Sequence, residues 1–158
     1  MAIREEKFMK EAIALSLSGC SNNEGGPFGC VIVKDDKIVG RGNNKVICNN
    51  DPTAHAEIVA IRDACKNLNN FQLEGCEVYT SCEPCPMCLG AIYWARPKVV
   101  YYANSRQDAA DIGFDDSMIY EEMSMELEKR KIPIKSLGRN EAIKAFEEWA
   151  NKNDKTLY

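Results

Sequence analysis

The sequence holds a single histidine among its 158 residues, and no apolar run approaches the roughly 20 residues that a membrane span needs. It therefore offers no candidate membrane helix. Basic residues are not in excess either: 20 Lys and Arg against 24 Asp and Glu leave a net charge of -4. Bulk electrostatics thus gives no reason to expect nucleic acid as a partner, and a small neutral substrate fits better. Internal repeats and low-complexity segments are also missing. The opening stretch mixes acidic with basic residues and sets Ile3, Phe8, Ala12 and Leu15 at helical spacing. That pattern reads as an amphipathic helix rather than an export signal, and the protein is expected to be cytoplasmic.

What is present fits one globular domain: 45% hydrophobic and 28% charged residues over a length that buries an adequate core. The eight cysteines could form a disulfide framework. That alternative needs an oxidising compartment and a chain too small to stabilise itself, and neither applies here. Clustered cysteines in a cytosolic chain point to a metal instead.

After the first helix, Ser21 to Gly26 reads as a turn and Phe28 to Val33 as a buried strand. Asp35-Asp36-Lys37 makes a hairpin turn into a second strand near Lys37 to Arg41. A polar loop from Gly42 to Pro52 then closes with Asp51-Pro52-Thr53, residues of the kind that precede helices. The following helix has Ile58, Ile61, Ala64, Cys65 and Leu68 on its apolar face. Val78 to Ser81 is a strand, a helix starts around Cys85, and Lys98 to Tyr102 is a further strand. Strands alternating with helices predict an α/β domain with a central mixed sheet covered on both faces. From Ser105 onward the chain is polar and mostly helical, ending in a helix over Asn140 to Asn151.

The one histidine, His55, stands in His55-Ala56-Glu57, and Pro84-Cys85-Pro86-Met87-Cys88 follows downstream. The pattern resembles the established signature of zinc-dependent nucleobase deaminases. Its chemistry can be argued residue by residue. A catalytic zinc takes three protein ligands and keeps one position for water, a set that His55, Cys85 and Cys88 supply. Cys-x-x-Cys in the first turn of a helix turns both sulfurs to one ion, and the unpaired N–H groups there favour thiolates. Such a site lowers the pKa of its water from 15.7 towards about 7. Glu57, not needed as a ligand, would move protons from that water to a ring nitrogen and to the leaving amine.

Other readings stay open at this point. Cys82 has the spacing to be a fourth ligand, which would make the zinc structural, though Glu57 would then have no purpose. A redox Cys-x-x-Cys leaves His55 unexplained. Cys20, Cys30, Cys48, Cys65 and Cys76 are scattered singly and read as small core or surface residues.

Asn44, the segment Asp51 to Glu57 and the segment Ser81 to Cys88 together resemble the cytidine deaminase-like superfamily. Cys88 to Pro97 and Asp111 to Ser117 are further similar to its bacterial guanine deaminases, and the likeness extends to Tyr158. The resemblance implies a single zinc deaminase domain over residues 1–158, a three-layer α/β/α fold of about five strands, and one Zn²⁺ per subunit. It also implies a homodimer in which the C-terminal segment crosses to complete the partner's site; an ordinary packed C-terminal helix is the alternative. The activity implied is hydrolysis of guanine to xanthine and ammonia. Rivals are the same chemistry on guanosine, cytosine or tRNA adenosine, or a non-catalytic zinc-stabilised module.

Residue roles carried over from the resemblance are these. Asn44 hydrogen-bonds the base edge, the backbone N–H of Ala54 assists beside the metal, and Phe28 stacks on the ring. Trp94, Asp116 and a partner-supplied Tyr158 close the pocket. Asp116 selects guanine by accepting from its N1–H and exocyclic amine, unless Asp115-Asp116 serves only as a helix cap ahead of Ser117.

Overall fold

The computed structural model describes residues 3–158; Met1 and Ala2, where the expected first helix begins, lie outside the described residues. Backbone contacts divide the chain between Asp116 and Ser117 into two compact units. The first contains α1 (Arg4–Ser21), β1 (Gly29–Lys34), β2 (Lys37–Asn43), the one-turn α2 (Val46–Asn49), α3 (Ala56–Leu68), β3 (Glu77–Cys82), α4 (Pro86–Ala95), β4 (Val99–Asn104) and α5 (Arg106–Asp111). The sheet order is β2-β1-β3-β4. β1 runs antiparallel to both β2 and β3, whereas β3 and β4 are parallel, so the sheet is mixed as expected.

Alternation along the central strands builds the layers. Cys30, Ile32 and Val78 face one side and join Ala56, Ala60 and Ala64 of α3 and Ala95 of α4 in one core. Val31, Val33 and Tyr79 face the other and pack with Ala12, Phe8 and Leu15 of α1. The first unit is therefore an α/β/α sandwich. The hairpin at Asp35-Asp36 is a two-residue loop with both φ angles positive, 48° and 61°; aspartate tolerates that region, and the resulting turn matches strand twist.

α3 lies close on β2. A Cβ on Gly42 would stand 2.3 Å from the Ala56 carbonyl oxygen and 2.5 Å from the Ala60 nitrogen, so only glycine allows the approach. At the start of β3, buried Glu77 collects three donors: Arg4 at 2.7 Å and the Tyr79 hydroxyl at 2.6 Å on one oxygen, Lys98 at 2.9 Å on the other. Arg4 also bridges to Asp36 of the hairpin. Burial alone would raise the Glu77 carboxyl, but these donors outweigh it and hold it down at about 2.

The number of strands differs from the expectation. About five strands were expected from the resemblance; the sheet has four among the described residues, the same four that hydrophobic alternation picks out. After β4 the chain turns at once into α5, fixed by a reciprocal capping box between Ser105 and Asp108, and the rest is helical or irregular. Asp51-Pro52-Thr53 does lead into α3. The Thr53 hydroxyl and N–H both go to the Asp51 carboxylate, at 2.7 and 2.8 Å, closing a local turn, and His55 takes the cap position.

The second unit, Ser117–Tyr158, holds α6 (Ser117–Met123), a short 3-10 helix (Leu127–Lys129) and α7 (Arg139–Asn151). None of these three elements contains a buried residue. Among the described residues, no helix is long and apolar enough to cross a membrane.

Candidate metal centre

Two crossings bring the signature together. β3 ends at Cys82, and after Glu83-Pro84 the chain enters α4, with Cys85 at the cap position, Pro86 at the first helical position and Cys88 in the first turn. Proline suits that position because its missing N–H would have no partner there. His55 caps α3 in the same way, and neither helix has a side-chain cap hydrogen bond. The positive ends of both helices thus stand at the ligand residues, where they favour thiolate.

His55 Nδ1 is 3.5 Å from Cys85 Sγ and 3.5 Å from Cys88 Sγ. All three ligand atoms lie within 4.8 Å of one another. Zn–S bonds of about 2.3 Å and a Zn–N bond of about 2.0 Å at tetrahedral angles require N and S about 3.5 Å apart, so the donor set fits zinc without rearrangement. A hydrogen bond from the Cys88 thiol, outweighing burial and helped by His55, pulls Cys85 down to about 4, while the same contact pushes Cys88 up. The bond to Cys85 raises the His55 ring.

Cys82 stays outside this group. Its sulfur lies 3.6 Å from the Ser105 carbonyl oxygen, and burial pushes its thiol up to about 11. The closed four-ligand site of one histidine and three cysteines that its spacing allowed does not form among the described residues. All eight cysteines are free.

Glu57 is buried two residues beyond His55, in the first turn of α3. Its Oε2 is 3.3 Å from Cys88 Sγ and its Oε1 is 3.1 Å from Thr80 Oγ1. Burial raises its carboxyl. Asn44 is buried with Oδ1 accepting from the Val46 N–H at 3.1 Å. Since a backbone N–H can only donate, the Asn44 amide nitrogen is the group left to donate elsewhere. Gly25 makes room for it: a Cβ there would stand 2.1 Å from Asn44 Oδ1.

Phe28 is tied to Asn44 by a backbone bond of 3.0 Å and meets Phe114 edge-on, with centroids 5.0 Å apart. Ala54 is buried, its N–H donating to the Asp51 carbonyl at 3.1 Å. Asp116 is partly buried, 3.8 Å from Arg106. Burial raises its carboxyl against the pull of Arg106, and the charge of Cys85 reaches it. Trp94 lies on the exposed side of α4, and Tyr158 is exposed at the end of the second unit. A hollow of about 290 Å³ beside α1 and α5 is lined by Phe28 and Cys82 but by none of His55, Glu57, Cys85 and Cys88, so the metal group lies elsewhere. Thr80, Gly25 and the Phe28–Phe114 contact escape a reading of the sequence, because a strand threonine and a loop glycine carry no motif.

A mixed sheet with helices on both faces, and a His–Cys–Cys triad at two helix starts, define a metal-dependent hydrolase of nucleobase type. The chain belongs to the cytidine and deoxycytidylate deaminase zinc-binding family, whose pattern matches residues 3–104. Zinc is its cofactor, with His55, Cys85 and Cys88 the candidate ligands. More particularly, it is similar over its whole length to the guanine deaminase of Bacillus subtilis (strain 168). Identity is 53% over 156 residues, covering 99% of this chain and 100% of that protein. A crystal structure of Bacillus subtilis guanine deaminase superposes with a TM-score of 0.95 at 52% identity, covering 100% of this chain and 99% of that one. A tRNA-specific adenosine deaminase of Buchnera aphidicola subsp. Schizaphis graminum is 37% identical over 142 residues, covering 89% of this chain and 90% of that protein.

Proposed function

We propose that this enzyme hydrolyses guanine to xanthine and ammonia in the cytoplasm. The observation that carries the chemistry is the Glu57 carboxyl at 3.3 Å from one sulfur of a three-ligand zinc set that Cys82 does not close. The full-length likeness to a guanine deaminase supports the substrate. When bound, zinc supplies an acidified water at neutral pH. Glu57 takes one proton from the attacking water and passes it to the ring nitrogen beside C2. A C2–O bond forms, the C2–N bond breaks, and the amine leaves as ammonia with the second proton. Water and guanine together balance xanthine and ammonia.

Phe28, braced edge-on by Phe114, offers its face to the purine. Asn44 donates its amide N–H to an acceptor on the base, a direction set by its own bond to Val46. Ala54 lines the floor before His55, sharing its N–H with the Asp51 turn. Asp116 accepts from guanine N1–H and amine, and Trp94 closes the rim. The protein acts as a homodimer in which the C-terminal segment crosses over and Tyr158 completes the partner's site. The exposed Leu137, Phe146 and Leu157 support such a partner, since large apolar side chains gathered on an otherwise polar segment favour being covered.

The test is ammonia release from guanine, guanosine, adenine, cytosine and an adenosine stem-loop RNA. Guanine is expected to be turned over and the RNA left intact. Activity on the RNA alone would replace this reading with the tRNA chemistry of the 37% relative.

A further inference from the structure

Glu57 is the second residue of α3, and a glutamate has three side-chain torsions that must be fixed before one oxygen can serve a proton transfer. On one side stands Cys88 Sγ at 3.3 Å from Oε2. On the other is the hydroxyl of Thr80, 1% exposed and 3.1 Å from Oε1. Thr80 comes from the middle of β3, paired with Cys30 on one side and Tyr102 on the other, so its backbone is locked between two neighbours. Its Oγ1 also lies 3.1 Å from the carbonyl oxygen of Cys82, the last residue before the loop that carries Cys85.

Resting on the reading above, we propose that Thr80 is a positioning residue: its hydroxyl holds Oε1 of Glu57 against the sheet so that Oε2 faces the metal site. A buried carboxyl oxygen without a donor is costly, so the hydroxyl also favours this rotamer at a position as buried as Glu57. Because a hydroxyl carries one proton, Thr80 donates to either Glu57 or Cys82 at a given moment. The same atom thus links the carboxyl to the start of the ligand loop.

The variants are Thr80→Val, which keeps shape and removes the hydroxyl, Thr80→Ser, which keeps the hydroxyl, and Thr80→Ala, should valine misfold. Crystal structures of the zinc-loaded wild type and variants read the position directly. Oε1 of Glu57 is expected within hydrogen-bond reach of residue 80 in the wild type and Thr80→Ser, and rotated away in Thr80→Val. In steady-state assays on guanine, Thr80→Val is expected to lower kcat about 10- to 100-fold, with KM little changed and a full equivalent of zinc retained. Thr80→Ser should restore kcat. In a Glu57→Gln background, Thr80→Val should change nothing further. An unmoved Glu57 in Thr80→Val, or an equal kcat loss in the Glu57→Gln background, overturns the proposal. A wild type inactive on guanine would sink the substrate reading alone, because the crystallographic comparison judges Thr80 without turnover.

Discussion

The two units of the chain are built on different terms. The first closes two cores around a sheet whose inner strands are almost wholly buried, and it carries the candidate metal ligands, Glu57 and Asn44. The second has helices but no buried residue in any of them, and leaves Leu137 96% exposed. A unit of the first kind owes its order to its own packing; one of the second kind leaves its apolar side chains uncovered by its own helices. Chemistry that needs groups held to fractions of an ångström belongs with the first.

The comparison can be broken most sharply at Glu57. Glu57→Ala should cut turnover of guanine by about 10²- to 10⁴-fold while zinc content, read by atomic absorption, stays at one per chain. Unchanged ammonia release would remove the mechanism and leave a zinc-stabilised module. Next comes the second unit. If Tyr158 works in the partner's site, Glu57→Ala and Tyr158→Ala, each inactive alone, should recover about a quarter of wild-type activity when refolded together, through heterodimers with one intact site. No recovery would assign Tyr158 to its own subunit.

Acid stability tests the first unit alone. Its Glu77 carboxyl is held at about 2 when folded against 4.5 as the ordinary value. The folded state binds that proton less readily, so the stabilisation is complete above pH 4.5 and is lost as pH falls towards 2. Glu77→Gln should therefore lower stability at neutral pH and flatten this acid limb in urea titrations monitored by circular dichroism; an unchanged limb would discard the role given to the cluster. The smallest effect is expected at Gly42→Ala, where overpacking against α3 should cost about 1–3 kcal/mol of stability. A neutral Gly42→Ala would mean that α3 is free to shift on β2, and that the ligand geometry does not depend on that contact.

Much of the first unit is legible in the sequence because its signals are local. The four strands follow from apolar runs and turn residues, and His-x-Glu with Cys-x-x-Cys points to the metal at once. Spacing could not decide about Cys82, since three cysteines at equal intervals are equivalent on paper. β3 extends through Cys82, and its sulfur turns to Ser105, which only the fold reveals. Thr80 was invisible for the opposite reason, because a strand threonine is ordinary until Glu57 is found opposite it. The fifth strand came from resemblance alone, with no apolar alternation after Asn104 to support it. The sequence places a helix start after Asp51-Pro52-Thr53, but not that Asp51 captures the Thr53 hydroxyl and leaves His55 at the cap.

One feature of β3 separates two properties that are often entangled. Glu77, knotted to Arg4, Tyr79 and Lys98, sits at its first residue, and Cys82, leading to the ligand loop, sits at its last. Thr80, which bonds Glu57, stands three steps along the strand, about 10 Å away, and on the other face: Glu77 shares its side with Tyr79 and α1, Thr80 with Val78 and α3. Acid that loosens the knot therefore acts across the sheet from Glu57. Resistance to low pH and the pH dependence of turnover can then be probed separately, by substitutions on opposite faces of a single strand.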